Sequence, residues 1–160
     1  MVIGVRPWTV ADIPQIAAIM AAHTLWQQYG VTHAQAALRL TSLFSEGESG
    51  LVAQIVGATT IAGFVVYNRK TLGDAGYIRL LGVAPGFTSR GLGAQLLEQV
   101  EERLVKENTY RLLLLCTEWN RRAQHFYQRQ GFILVGRLAD WIQVGTTELL
   151  FAKYLEPGGR

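Results

Sequence analysis

The spacing of hydrophobic residues in the first part of the chain predicts two helices. Thr9 is followed three residues later by Asp12, a pattern typical of a helix N-cap. The apolar residues that come next recur at helical spacing and are Ile13, Ile16, Ala17 and Met20. A second helix is predicted over residues 32–44.

Seven shorter runs, rich in apolar and β-branched residues, predict strands. They are residues 2–6, 51–56, 60–67, 76–84, 111–117, 132–138 and 146–155. The second and third runs flank turn residues 57–59 and predict a hairpin, and the last two runs predict another. The run RLLLLCT at 111–117 is continuously apolar, which predicts a strand buried on both faces. Residues 45–50 and 68–76, rich in glycine and charge, predict loops.

Two more helices are predicted in the second half of the chain. One begins near Gly91, and its apolar positions at helical spacing are Leu92, Leu96, Leu97, Val100 and Leu104. The other covers residues 121–129, with Asn120 as its N-cap and Gly131 as the C′ residue. The resulting order, β-α-α-β-β-β-α-β-α-β-β, favours an α/β fold with a mixed sheet of about seven strands and helices on both faces.

Composition favours one folded domain over residues 1–160, a length that can bury most of the surface of the unfolded chain. Hydrophobic residues make up 49% of the chain and charged residues 17%, which excludes a disordered chain. No apolar run has the length of a membrane span, and no signal peptide is recognisable at the start. Because Cys116 is the only cysteine, no internal disulfide can form, and we expect a cytoplasmic protein without membrane attachment.

The basic excess is small and dispersed. The formal net charge is +3, and the closest grouping of basic residues is Arg121, Arg122 and Arg129. A solvated helix face or a small anionic ligand explains this grouping as well as nucleic acid does. Because aromatic and basic residues do not alternate, nucleic acid is not expected as a partner.

Residues 81–97, LGVAPGFTSRGLGAQLL, place several glycines between a predicted strand and a predicted helix. A helix N-terminus offers unpaired N–H groups and a partial positive charge, which suit a phosphate. Gly91 and Gly93 allow a close approach to the backbone, and Arg90 adds a positive charge. The segment lacks the Lys-Ser or Lys-Thr of a P-loop, and Leu96 replaces the third glycine of a dinucleotide fingerprint. A tight strand-to-helix turn would explain the glycines equally well.

A second motif lies at residues 120–132, NRRAQHFYQRQGF, directly after the next predicted strand. Its spacing is Asn-x-x-Ala-x-x-Phe-Tyr-x-x-x-Gly-Phe. Together with GVAPGFTSRGLG at residues 82–93, it resembles the GNAT superfamily of acetyl-CoA-dependent N-acetyltransferases. The resemblance covers essentially the whole chain in element order, and its specific motifs lie within residues 77–132.

The resemblance implies an enzyme that transfers an acetyl group from acetyl-CoA to a primary amine of a small molecule, peptide or protein. The amine would attack the thioester directly, with acetyl-CoA as co-substrate and no metal. The implied CoA-binding residues are Leu81, Gly82, Val83, Thr88, Ser89, Arg90, Gly91, Leu92, Gly93, Ala94, Asn120, Ala123, Phe126 and Tyr127.

In such proteins the glycine turn holds the pyrophosphate through backbone N–H groups. The edge of the fourth strand, at residues 81–83, would pair with the pantetheine arm in a slot formed by a splay from the fifth strand. Thr88 stands where the family usually has Gln or Arg, and Ser89 stands where glycine is common. These departures imply weakened, not lost, CoA binding.

The resemblance also places Tyr127 and Asn120 near the thioester. A phenol is protonated at neutral pH and can donate to the leaving thiolate, so Tyr127 is predicted as the catalytic acid. The developing oxyanion needs a donor, and the main-chain N–H of Val83 is the candidate. The alternative for Tyr127 and its neighbour Phe126 is that both are helix core.

The general base is less clearly marked. Many family members carry a glutamate on the fourth strand, where this chain has Tyr77 and Arg79. Glu118 is predicted in its place, and Asp74, a water chain or an amine that arrives neutral are alternatives. A charge favourable to the dipole of the following helix also explains Glu118.

The other chemically active side chains indicate little catalysis. Cys116 lies in an apolar strand and is interpreted as a small buried hydrophobe. His23, His33 and His125 lack the spacing of metal ligands, so no metal is expected.

The acceptor pocket is predicted between the first two helices and the last hairpin. Its candidate residues are Trp26, Tyr29, Trp119, Asp140 and Trp141, and burial in the core explains each aromatic equally well. Two other functions stay open: a catalytically weak CoA-binding module of the same fold, and a nucleic-acid-binding protein. The resemblance leaves a homodimer open.

Overall fold

The computed structural model describes residues 1–157 and contains seven strands and five α-helices in that range. The strands are β1 Ile3–Pro7, β2 Ser49–Ile55, β3 Ile61–Thr71, β4 Ala75–Val83, β5 Arg111–Thr117, β6 Ile133–Ala139 and β7 Thr147–Tyr154. The helices are α1 Ile13–Ala22, α2 Thr24–Gln28, α3 His33–Ser45, α4 Leu92–Lys106 and α5 Arg121–Arg129. Short 3₁₀ turns lie at Val10–Asp12 and Leu72–Asp74. The strands form a mixed sheet in the order β1-β2-β3-β4-β5-β7-β6, which confirms the predicted fold class.

The predicted order of long elements is confirmed, with three differences. A short helix, α2, follows α1 and was not predicted. The loops predicted at residues 45–50 and 68–76 were wrong at their ends. Ser45 belongs to α3 and β2 begins at Ser49, while β3 continues to Thr71 and β4 begins at Ala75. The prediction that β5 is buried on both faces was also wrong, since Leu113 and Leu115 are only half-buried.

Internal contacts divide the chain into two units, which we describe separately. The first unit comprises residues 1–67 and 80–100. In it, β1 pairs with β2 and β2 pairs with β3, both antiparallel. The apolar positions predicted on α1 are all buried, as are those predicted on the first half of α4: Ile13, Ile16, Ala17, Met20, Leu92, Leu96, Leu97 and Val100.

The start of the first helical segment is fixed by a buried carboxylate, Asp12. Both oxygens of Asp12 accept hydrogen bonds from the Arg6 guanidinium at 2.8 Å, and the Thr9 N–H donates to it at 2.7 Å. Burial alone would raise the pKa of Asp12, but the hydrogen bonds from Arg6 and Thr9 outweigh it and lower the pKa. The predicted pairing of Thr9 with Asp12 is therefore confirmed, and Arg6 extends it to β1.

Asp12→Asn is expected to destabilise the protein by about 2 kcal/mol near neutral pH, because it removes charge-assisted hydrogen bonds. A carboxylate whose folded-state pKa is lowered stabilises the fold above its unfolded pKa of about 3.9, and that contribution is lost as pH falls through the folded pKa. The difference in the free energy of unfolding between the wild type and Asp12→Asn, measured by urea unfolding, should therefore become smaller in acid. An equal difference at neutral and strongly acidic pH would contradict this assignment.

The second unit comprises residues 68–79 and, among the described residues, those from Glu101 onward. In it, β4 pairs with β5 in parallel at Gly76–Ile78, and β7 pairs antiparallel with both β5 and β6. One face of β5 is buried and consists of Leu112, Leu114 and Cys116. Gly76 is required on this face, because a Cβ there would lie 2.7 Å from Leu104 of α4. Among the described residues, no helix is long and apolar enough to cross a membrane.

Candidate functional site

The turn that leads from β4 into α4 depends on residues with a left-handed backbone. Gly86 and Gly91 have φ values of +89° and +77°, and Ser89 has a φ of 62°. A non-glycine residue with a left-handed backbone costs on the order of 1 kcal/mol of stability. The positive φ of Ser89 therefore explains why glycine would be favoured at position 89. A Cβ added at Gly91 would meet nothing within 4 Å, so the backbone is open there.

Helical hydrogen bonding in α4 begins at Gly91, whose carbonyl accepts from the Gln95 N–H at 3.0 Å. The N–H groups of Leu92, Gly93 and Ala94 therefore form the first turn, where helix geometry offers no acceptor. The side chain of Leu92 is buried, so only its backbone can serve a ligand. This end of α4 carries the partial positive charge that binds anions.

The side chains around this turn are mostly exposed. Thr88, Ser89 and Arg90 are all exposed, and the Arg90 guanidinium lies 5.8 Å from the centroid of the Phe87 ring. A cation in contact with an aromatic face keeps its charge near the turn while its other face meets solvent. Arg90 is thus placed to add a charged contact beside the first turn of α4.

The end of β4 is tightly packed. A Cβ at Gly82 would lie 2.7 Å from Phe64 and 3.1 Å from Trp26, so only glycine fits there. Leu81 and Val83 are half-buried. Trp26, a predicted acceptor residue, is buried and stacked on Phe64 with ring centroids 6.0 Å apart, so most of its surface serves the core of the first unit.

The second predicted motif forms α5 as expected. The Asn120 side chain caps the helix by accepting from the Ala123 N–H at 3.2 Å, which confirms its N-cap role. Gly131 follows the helix with a φ of +91°, as expected for a C′ glycine. The side-chain amide of Gln124 donates to the Glu118 carbonyl at 2.6 Å and ties the helix to the end of β5.

Tyr127 is half-buried within an aromatic cluster in the second unit. Its ring centroid lies 5.2 Å from that of Phe126, 5.7 Å from Phe132 and 6.4 Å from Phe151. Burial raises the pKa of its phenol above the usual value of about 10, and the nearby Cys116 raises it further. The hydroxyl therefore stays protonated at neutral pH and has a proton to donate.

Glu118, the predicted base, lies at the surface of the second unit. Its side chain is 46% exposed and forms an ion pair with Arg137 of β6. An exposed pair of this kind is screened by solvent and contributes little. Asp74, the alternative, lies in an exposed 3₁₀ turn with a φ of 62°.

A buried carboxylate that sequence reasoning missed lies nearby. Glu148 of β7 is 2% exposed, and its Oε1 accepts from the Thr117 hydroxyl at 3.2 Å. The signal was available in the sequence, because Glu148 is the one acidic residue in the otherwise apolar run TTELLFAKYL. Lys, Glu, Arg and Asp are rarely fully buried unless they are paired.

Cys116 is buried, as predicted. Burial raises the pKa of its thiol to about 12, and the charge of Glu148 adds to the shift. A thiol this resistant to ionisation is a poor nucleophile. Residues 1–157 hold no group of three or more potential metal-ligating side chains.

The remaining predicted acceptor residues are more accessible than Trp26. Trp119 and Trp141 are exposed, and Tyr29 is half-buried. Asp140 has a φ of 55°, and its carboxylate accepts from the Gly145 N–H at 2.6 Å, which orders the β6–β7 loop around Trp141. Their role in acceptor binding stays a prediction.

Comparison with known proteins gives a family and a fold. The model of the acetyltransferase (GNAT) family matches residues 17–132. No curated protein sequence matches the chain significantly.

Many solved structures have a similar fold, and they include the following three. Ard1 from Thermoplasma volcanium is 20% identical with a TM-score of 0.80, over 98% of this chain and 99% of that one. The ribosomal-protein-S18-alanine N-acetyltransferase from Escherichia coli is 19% identical with a TM-score of 0.79, over 99% and 97%. A protein described as a streptothricin acetyltransferase from Bacillus anthracis str. Ames, in complex with acetyl coenzyme A, is 20% identical with a TM-score of 0.62, over 68% and 63%.

At these identities the structural similarities show the fold. The family model covers well over half of the chain, including the turn before α4 and all of α5. The chain belongs to the acetyltransferase (GNAT) family.

Proposed function

We propose that this protein transfers an acetyl group from acetyl-CoA to a primary amine of a small molecule, peptide or protein. The observation that carries the proposal is the family match over residues 17–132. A neighbour of the same fold was solved with acetyl coenzyme A bound, which supports acetyl-CoA as the donor.

The first turn of α4 is the proposed seat of the CoA pyrophosphate. Its support is the open backbone at Gly91 together with the first-turn N–H groups of residues 92–94. Arg90 adds a charged contact at the rim. The edge of β4 at residues 81–83 is proposed to receive the pantetheine arm, and the splay that would admit it stays a prediction.

Gly91→Ala tests the pyrophosphate seat, with Gly57→Ala as its matched control. Both glycines have positive φ, +77° and +83°, and both have open space where a Cβ would lie. Each alanine should therefore cost a similar amount of stability, about 1 kcal/mol. Only Gly91→Ala should weaken CoA binding, by roughly tenfold in titration calorimetry, which corresponds to about 1.4 kcal/mol. Equal CoA affinity in the two variants would refute the seat.

The proposed chemistry is direct attack of the neutral amine on the thioester. The nitrogen forms a bond to the acetyl carbonyl carbon, and the carbon–sulfur bond breaks. The ammonium form of the substrate carries three protons on nitrogen. One stays on the amide nitrogen, one is released to a base, and one is accounted for by the proton that the CoA sulfur gains as a thiol. The Tyr127 hydroxyl is the proposed donor to sulfur, since the raised pKa keeps it protonated.

The proposed acceptor is an amine of a protein, peptide or small molecule. Neighbours of this fold are described as acting on a ribosomal protein, and one is described as a streptothricin acetyltransferase. The fold therefore accommodates both protein and small-molecule acceptors, and the exposed Trp119 and Trp141 are proposed to line the acceptor side.

The proposal is tested by free-thiol release from acetyl-CoA in the presence of a panel of primary amines and amine-terminated peptides. Thiol release that depends on an amine is expected. CoA binding without thiol release for any amine would favour the weak CoA-binding module. Absence of CoA binding would defeat both functions.

A further inference from the structure

Glu148 lies on the half-buried face of the second unit. The register of β5 with β7 places Glu148 opposite Thr117, and strand alternation places both on the same face as Leu113 and Leu115. These two leucines are half-buried, whereas the opposite face of β5 is buried. The β4–β5 register brings Tyr77 opposite Leu113, so β4 contributes to this face as well. The face that carries Glu148 is therefore the less buried face of β5.

The surroundings of Glu148 can be followed strand by strand. From β5, Thr117 donates a hydrogen bond to the carboxylate, and the neighbouring Cys116 contributes a thiol. From β6, the residue opposite Glu148 is the apolar Leu138. On β4, Tyr77 and Arg79 share the face by alternation. The Glu148 carboxylate thus has the Thr117 hydroxyl as a hydrogen-bond partner, and its charge acts on the Cys116 thiol.

Cys116 interacts electrostatically with both Glu148 and the proposed acid, Tyr127. The charge of Glu148 acts on the Cys116 thiol, and Cys116 acts on the Tyr127 phenol. Tyr127 packs against Phe151, which alternation puts on the other face of β7 from Glu148. The proposed acid and the carboxylate therefore lie on opposite sides of β7.

We propose that Glu148 is the base that takes the proton from the acceptor ammonium, directly or through one water molecule. The inference rests on the proposed acetyl transfer. The proton leaves the ammonium nitrogen for a Glu148 oxygen and passes to solvent, and the freed lone pair attacks the acetyl carbon. The thiolate of CoA leaves and receives its proton from Tyr127, whose phenolate takes back the second proton lost by nitrogen.

The structure favours Glu148 over the base predicted from the sequence. The Glu118 carboxylate is largely exposed and is ion-paired with Arg137. The β6–β7 register places Arg137 opposite Leu149, on the other face from Glu148. β4 supplies only Tyr77 and Arg79 where the resemblance predicts a glutamate. Glu148 is the buried carboxylate on the accessible face, and burial shields it from the screening that weakens Glu118.

The test is Glu148→Gln, with Glu107→Gln as a control carboxylate that is ion-paired with Arg69 at the surface. Acetyl transfer to an alanine-initiated peptide and to benzylamine would be measured as kcat/KM from about pH 6.5 to 9.5. Glu148→Gln should lose at least about tenfold near neutral pH. The loss should shrink as pH rises, because the free amine fraction grows without a base. Affinity for CoA should be unchanged.

Glu148→Asp guards against misfolding, since it keeps the charge and should recover part of the activity. Glu107→Gln should behave like the wild type. Wild-type activity in Glu148→Gln, or a loss that is the same at every pH, would overturn this inference while leaving acetyl transfer intact. A wild-type enzyme that acetylates neither probe nor any amine of the panel would instead refute the proposed function.

Discussion

Tyr127→Phe should lower kcat for acetyl transfer by about 100-fold while leaving the KM for acetyl-CoA nearly unchanged. The substitution removes only the hydroxyl, so the ring can keep its contacts with Phe126, Phe132 and Phe151. The fall in kcat is caused by the loss of the proton donor to the leaving sulfur, a contribution made only in the transition state. Single-turnover measurements separate this step from product release.

The pH dependence adds a second check on Tyr127. Burial and Cys116 raise the pKa of its phenol above the usual value of about 10. The Tyr127 phenol therefore stays protonated through the assay range. Deprotonation of Tyr127 should not lower wild-type kcat at any pH below about 10. Tyr110→Phe, which loses only a surface hydrogen bond to Asn108, is the matched control. A kcat for Tyr127→Phe equal to that of this control would remove Tyr127 from the mechanism.

Lys153→Met should destabilise the second unit by about 3–5 kcal/mol, because it removes the ion-pair partner of the Glu101 carboxylate in a nearly dry site. The Lys153 ammonium lies 2.7 Å from the Glu101 carboxylate, and their side chains are only 10% and 12% exposed. The ammonium also lies 5.8 Å from the centroid of the Phe132 ring. This pair joins β7 to α4 within the unit.

The double variant Lys153→Met with Glu101→Leu distinguishes a buried charge from lost packing. Replacing both partners by apolar residues removes the buried Glu101 carboxylate as well as the Lys153 ammonium. The double variant should therefore be clearly more stable than Lys153→Met alone. Urea unfolding of the wild type, both single variants and the double variant gives the coupling. A double variant as unstable as the sum of the two single variants would contradict this interpretation.

Elements that depend on neighbouring residues in the sequence were predictable. The cap at Asn120, the C′ glycine at 131 and the buried face of α4 each follow from residues within a turn or two. The pairing of Thr9 with Asp12 was equally local. These patterns, and the two motifs around the turn and α5, were enough to predict the fold class and the family.

Features that depend on distant partners were not predictable. The polar end of β3 at Asn68–Thr71 lacks the apolar alternation of a strand, yet backbone pairing extends the strand through it. The half-buried face of β5 reads as apolar in sequence, because leucine fits either environment.

The carboxylates show the same limit. Glu118 follows a strand that precedes a motif helix, which made it the natural prediction for a base. The structure instead pairs it with Arg137, a residue 19 positions away in the chain. Glu148 is buried by contacts with Thr117, 31 residues distant, and only the register of β5 with β7 reveals that they meet.

Acetyl transfer to an amine nitrogen is measured most directly by following the acetyl carbon itself. Acetyl-CoA carrying a heavy carbon isotope in its carbonyl would be incubated with the wild-type protein and an alanine-initiated peptide or benzylamine. We expect an amide bearing the labelled carbonyl on the amine nitrogen, formed in a one-to-one ratio with free CoA thiol. Label that stays in acetyl-CoA, or that appears only as free acetate, would contradict it.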